Sequence, residues 1–159
     1  MPIKLKTDED YYSRKVEYEG TTIQIRELND DALEQFGALQ DALKAHAEKA
    51  VTEHGGDIAV MRAKLALIDM DDMEAVQRAM NEVGDGMPMS VQVALIQEQR
   101  GIVDHVCVHG VADWDIPGTD CTPEAVPALP NHVKLGLATQ IIKDTVMSDV
   151  DAAFLAKPQ

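Results

Sequence analysis

Apolar and charged side chains alternate with a period of two in Arg14-Lys15-Val16-Glu17-Tyr18 and again in Thr22-Ile23-Gln24-Ile25-Arg26, with Glu19-Gly20 between the two runs. Alternation around a glycine-containing turn predicts a β-hairpin over residues 11–28, apolar on one face only. Two strands alone are marginal in water, so that face requires cover from the rest of the chain.

At Asn29 the period changes. Asn29 suits a helix N-cap, with Leu28 before it and Leu33 at the fourth helical position as a hydrophobic staple. Leu33, Phe36, Leu39, Leu43, Ala47 and Ala50 then recur every three or four residues, the spacing of one helical face. Gly55-Gly56 ends this helix. A second begins near Asp57, with Ile58, Met61, Leu65 and Ile68 on one side. Asp71 followed by Glu74 reads as a capping box opening a third helix that runs to Val83. Gly84-Asp85-Gly86 breaks the pattern, and Pro88 suits the first turn of a fourth helix through Val91, Leu95, Ile102 and Val106 to Gly110. Residues 29–109 are therefore expected to be helical.

Residues 110–131 are rich in Gly, Pro, Asp and Thr and hold the only tryptophan, Trp114. They predict a connection, with Thr122 capping a short turn that Pro127 limits. A terminal helix over 132–155 carries Val133, Leu137, Ile141 and Ile142, with Val146 beyond, and the last residues, from Ala156 to Gln159, should fray. The expected fold is mainly α with a small N-terminal β-hairpin (α+β), the hairpin followed by a bundle of four or five helices. The 159 residues suit a single domain, 1–159, with one core.

Charge narrows the function. Lys and Arg number 14 against 28 Asp and Glu, a formal charge of −14. A nucleic-acid binder needs a basic face for the phosphates, so nucleic acid is excluded as a partner. Aromatic residues make up 4%, too few for stacking platforms, and the core must be built from aliphatic residues and Met. No apolar run reaches the ~18 residues of a membrane span, and Met1-Pro2-Ile3-Lys4-Leu5-Lys6 lacks the apolar core of a secretory signal. Two cysteines, Cys107 and Cys121, read as reduced thiols rather than a disulfide framework. These features predict a cytoplasmic protein.

Candidate chemistry is thin. His105-Val106-Cys107-Val108-His109 offers zinc-type donors, with Cys121 or His132 as a fourth. In a helix, however, 105 and 109 share a face while 107 points about 200° away. A helix end with two histidines near the C-terminal dipole and Cys107 packed as a small apolar residue accounts for the same sequence. Asp69-Met70-Asp71-Asp72-Met73-Glu74 fails the EF-hand pattern, because Glu74 stands where glycine is needed and Met80 where a bidentate acid is needed. Acidic residues in a first helical turn explain it. Ser13, Ser90 and Ser148 lie in no nucleophile elbow, and Gly84-Asp85-Gly86-Met87-Pro88 lacks a Walker lysine. The residues point to no enzyme, metal or cofactor. Trp114 reads either as an anchor pinning the connection or as a partner contact.

The order Val111-x-x-Trp114-Asp115, Pro117-Gly118, Cys121-Thr122-Pro123-Glu124-x-Val126, Ala128-Leu129-Pro130 and then an amphipathic helix resembles the C-terminal half of tail assembly chaperones of long-tailed bacteriophages. The run Arg14 to Gly20 followed by Ile25-Arg26-Glu27-Leu28 is similar to their opening hairpin and first-helix entry. Together these stretches cover roughly half the chain. The resemblance implies a non-enzymatic protein, in the host cell cytoplasm, that coats a tape-measure protein and helps tail-tube subunits polymerise around it. It leaves the tail-tube protein and self-association open as further partners, and a frameshifted longer form open as well. The contact residues it suggests are Trp114, Ile116, Val133 and Leu137. A virion structural adaptor of the neck or tail is the alternative that shares the hairpin-plus-helices style.

Overall fold

The computed structural model describes residues 11–156, with side chains through residue 148. The expectations for the first six residues and for fraying beyond Ala156 lie outside the described residues. The fold is mainly α with a small antiparallel sheet, in the order β1 (Ser13–Tyr18), β2 (Thr21–Arg26), α1 (Asp30–Glu53), α2 (Ile58–Ala66), α3 (Met73–Gly84), α4 (Met89–Gly110), β3 (Val111–Trp114) and α5 (Asn131–Ala156), with a 3-10 turn at Val126–Ala128 before α5.

The hairpin forms where the alternation places it. Val16 pairs with Ile23 and Tyr18 with Thr21. Glu19 and Gly20 both take positive φ, 51° and 80°, the type I′ geometry whose twist matches the flanking strands. Ile23 and Ile25 are fully buried, and the apolar face lies on α5. Arg14 reaches across to that helix: its Nε donates to Asp144 Oδ2 at 2.7 Å and its Nη2 to Gln140 Oε1 at 2.9 Å. The Gln140 amide in turn donates to the Tyr18 hydroxyl.

Helix boundaries follow their caps. The Ala32 N–H donates to Asn29 Oδ1 at 2.8 Å. At the other end of α1, Gly55 has φ +77°, and the Gly56 N–H donates to the Val51 carbonyl at 2.8 Å, a Schellman closure that only glycine makes without strain. Asp57 caps α2 through the Ala59 and Val60 N–H groups. The start of α3 differs by one residue from expectation. Asp72, not Asp71, accepts from the Glu74 and Ala75 N–H groups. Asp71 instead closes an Asx turn in which its N–H donates to Asp69 Oδ1, so the acidic run divides between a turn and a cap.

The larger correction is in 110–131, which was expected to be connection throughout. Val111–Trp114 forms a third strand, antiparallel to β2, with Ile23 opposite Trp114 and Ile25 opposite Val111. Gln24 lies opposite Asp113, so Ala112 is the extra residue of a β-bulge. The Asp115 N–H donates to the Thr22 carbonyl, and Asp115 Oδ1 accepts from the Thr22 N–H at 2.8 Å. The order is β1-β2-β3, and β3 follows directly from the end of α4.

The core lies where α3, α4 and the sheet meet the first half of α5. Leu137, Ala138, Ile141 and Ile142 are wholly buried, together with Val103, Val106 and Met73. Each such large side chain contributes about 1.5–3 kcal/mol relative to exposure. Thr145 stitches the hairpin exit to this helix: it accepts from the Leu28 N–H at 2.9 Å and donates to the Ile141 carbonyl at 2.7 Å. Lys134, largely buried, is satisfied by Asp104 Oδ1 at 2.7 Å and the Pro127 carbonyl at 2.9 Å. A buried ammonium requires such partners.

Candidate partner interface

Of the four predicted contact residues, two remain at the surface. Trp114 is half-buried at the end of β3, on the edge of the sheet, and Ile116 is half-buried just beyond it. The Trp114 indole N–H donates to the Thr119 carbonyl at 2.8 Å, which folds the Pro117-Gly118 turn back under the ring. Gly118, at φ +75°, allows that reversal. Trp114 therefore braces its own segment and shows its remaining surface beside Lys15, Thr22, Gln24, Asp113 and Asp115, around a shallow hollow of about 300 Å³.

Val133 and Leu137 are corrected. They are 5% and 0% exposed, so neither offers a contact surface in the folded chain. The first half of α5 is covered on several sides, by the sheet, α3 and α4, and the stripe that read as a partner face is the core itself. Val146, farther along the same helix, is 38% exposed and Met147 is 59% exposed.

The histidine–cysteine cluster takes the helix-end arrangement. His105 Nε2–H donates to the Ala32 carbonyl at 3.0 Å, tying α4 to the start of α1. The His105 and His109 rings lie 4.6 Å apart, tilted by 54°. Cys107 is wholly buried, and its thiol donates to the Lys134 carbonyl at 3.4 Å. Burial pushes that thiol up to about 12, so the thiolate needed for nucleophilic or metal chemistry is suppressed. Burial also raises the Cys121 thiol. His132 lies elsewhere, with Nε2 2.7 Å from Glu19 Oε1. Among the described residues, no group of three or more His, Cys, Asp or Glu could hold a metal ion. In the acidic run 69–74, Asp69 Oδ1 and Asp72 Oδ1 serve the turn and the cap already described.

Sequence reasoning missed the apolar surface outside the Trp segment. Leu67 is 89% exposed, Met89 72%, Val60 50% and Val93 41%. Leu39, assigned to the buried stripe of α1, is 37% exposed. Between α2 and α3 lies a groove of about 260 Å³, with Val51, Val60, Met61, Leu65, Ala79 and Val83 in its lining. The signal was faint: Val60 in α2 and Leu67 at its C-terminal cap fall outside the stripe of Met61 and Leu65, so apolar residues surround the helix rather than marking one face. Among the described residues, no helix is long and apolar enough to cross a membrane. Comparison with known protein families, with curated proteins and with solved structures yields no match to this chain.

Proposed function

We propose that the chain is a non-enzymatic binding protein, a phage tail assembly chaperone that holds the tape-measure protein while the tail tube polymerises around it in the host cytoplasm. The observation that carries the reading is that large, flexible apolar side chains stand in water, foremost Leu67 just past the end of α2 and Met89 at the start of α4, on a chain of charge −14. Flexible aliphatic and Met side chains adapt to varied apolar partners, while high net charge opposes self-aggregation. The resemblance of the Val111-to-Ile142 segment suggests the client. The buried Cys107 thiol and the Ala32-bound His105 are engaged in structure, in keeping with a role in binding rather than catalysis.

The test is co-expression with the tape-measure protein of the same tail module, followed by co-purification at low salt and at about 0.5 M salt, where the Debye length is only ~4 Å. An apolar complex survives both conditions, whereas a purely charge-driven one dissociates at the higher. Trp114→Ala should weaken co-purification by loosening the segment that the indole braces, with circular dichroism as the control for folding. Absence of a complex at either salt, with both proteins folded, would discard the chaperone reading in favour of a virion structural adaptor.

A further inference from the structure

We propose that the groove between α2 and α3 is a docking site for one amphipathic helix with basic flanks. This rests on the client-binding reading and names the surface and the chemistry of the segment it takes. The floor is apolar: Met61 and Leu65 of α2 meet Ala79 and Val83 of α3, and Val51 at the end of α1 closes one side. Its volume of about 260 Å³ falls below the ~300–1,000 Å³ of pockets that enclose a whole small ligand. It suits one or two anchor side chains projecting from a larger partner.

Two features select a helix as that partner. The lining comes from α1, α2, α3 and the turns on either side of α2, with no strand in it, so the groove presents no strand edge to pair with an extended backbone. A segment that enters an apolar groove with its N–H and C=O groups unpaired bears their desolvation cost. A helix satisfies them internally and offers anchors at i, i+3, i+4 and i+7. Charge selects the flanks. Asp57 and Glu82 stand in the lining against the single Lys64, on a chain with 28 acidic residues to 14 basic. Lys or Arg beside the apolar stripe is attracted to that rim and that field, whereas acidic flanks are repelled.

The nine-residue α2 packs on α1 and α3 and is set off from α1 by Gly55-Gly56 and from α3 by the turn at Asp69–Asp72. Val60 stands on its rim at 50% exposure.

The experiment uses the full chain and two synthetic peptides of about 18 residues. Both carry leucine at i, i+3, i+4 and i+7 spacing; one has lysine at the remaining positions and the other glutamate. Binding is followed by fluorescence anisotropy, and the site by the methionine methyl resonances. The lysine peptide should bind saturably and shift the Met61 methyl while leaving Met89 and Met147 in place, and the glutamate peptide should bind at least about tenfold more weakly. Val60→Lys should weaken the lysine peptide by about tenfold. Lys64→Glu should tighten it severalfold at low salt, a gain that mere damage to α2 would not produce.

No saturable binding, equal affinity for both peptides, shifts at Met89 or Met147 in place of Met61, or a Val60→Lys variant of unchanged affinity would each overturn the proposal. If Val60→Lys fails to fold, Lys64→Glu decides, and unchanged or weakened binding by that variant overturns it. Co-purification of the tape-measure protein with folded Val60→Lys separates the two readings. An undiminished complex removes the groove and keeps the chaperone. A groove that takes the peptide, in a protein that never captures the tape-measure protein, does the reverse.

Discussion

Two glycines of α4 sit in opposite circumstances. A Cβ on Gly110 would lie 2.5 Å from Ile141 Cδ1 and 2.6 Å from its Cγ2, and Ile141 is wholly buried with nowhere to retreat. A Cβ on Gly101 would meet nothing within 4 Å. Gly110→Ala should therefore cost about 1–3 kcal/mol, the range for overpacking a filled core. Gly101→Ala should stabilise by about 0.5–1 kcal/mol, because an exposed helix-interior glycine wastes backbone entropy. Urea midpoints at unchanged slope measure both. A Gly110→Ala variant as stable as the parent would mean that α4 and α5 do not approach there as described. Composition gives each glycine the same meaning; only the neighbour across the interface separates them.

At the scale of elements, the sheet reaches α5 through Tyr18, and Gly136 permits the approach. A Cβ on Gly136 would lie 2.8 Å from the Tyr18 hydroxyl and 3.2 Å from its ring. Gly136→Ala should destabilise by about 1–3 kcal/mol, and less in a Tyr18→Phe background, with a coupling of about 0.5–2 kcal/mol in the double-mutant cycle. Strict additivity would place the ring elsewhere. What the sequence discloses at this scale is local. The period-two runs, the Glu19-Gly20 turn and the caps at Asn29 and Asp57 are written in neighbouring residues, and Phe36, on the stripe of α1, is 5% exposed. Strand β3 is not local: four residues, one of them bulged, have no alternation to show, and they become a strand only because β2 offers a free edge. Val133 and Leu137 were misread for a related reason. An apolar stripe records that something covers it, and whether that is a partner or the chain's own sheet depends on contacts distant in sequence. The α2–α3 groove was hidden likewise, since it takes two helices to make it. Trp114 reads in the sequence as an anchor of the connection on the helices or as a partner contact, and its indole bond to Thr119 ties it instead to its own segment.

For the whole molecule, acidity sets competing demands, and they fall in different pH windows. His109 stands at the end of α4 beside a recess lined by Tyr11, Arg26, Glu27 and Asn29. Partial burial, then the neighbouring His105 and Arg26, lower its pKa below the usual 6.5. In the unfolded chain it protonates at that usual value. Between the two, the unfolded state binds more protons, so the stability tied to neutral His109 is present above pH 6.5 and is lost as pH falls through 6.5 toward the folded value. Asp71 acts oppositely. Burial, then the nearby Asp69, raise its pKa above 3.8, so acidification through that higher value favours the folded state. Relief of the repulsion behind the −14 charge also waits for carboxylates to protonate, near pH 4. Melting temperature should therefore fall more steeply from pH 7.5 to 5.5 in the parent than in His109→Gln, and the two profiles should run parallel once the pH lies below the lowered folded value, where His109 is protonated in both states. The difference between profiles isolates position 109 from the other histidines, including the exposed pairs of His46 with Glu98 and His132 with Glu19. If the two profiles coincide from pH 7.5 to 5.5, the recess does not oppose the imidazolium, and the acid response belongs to groups other than His109.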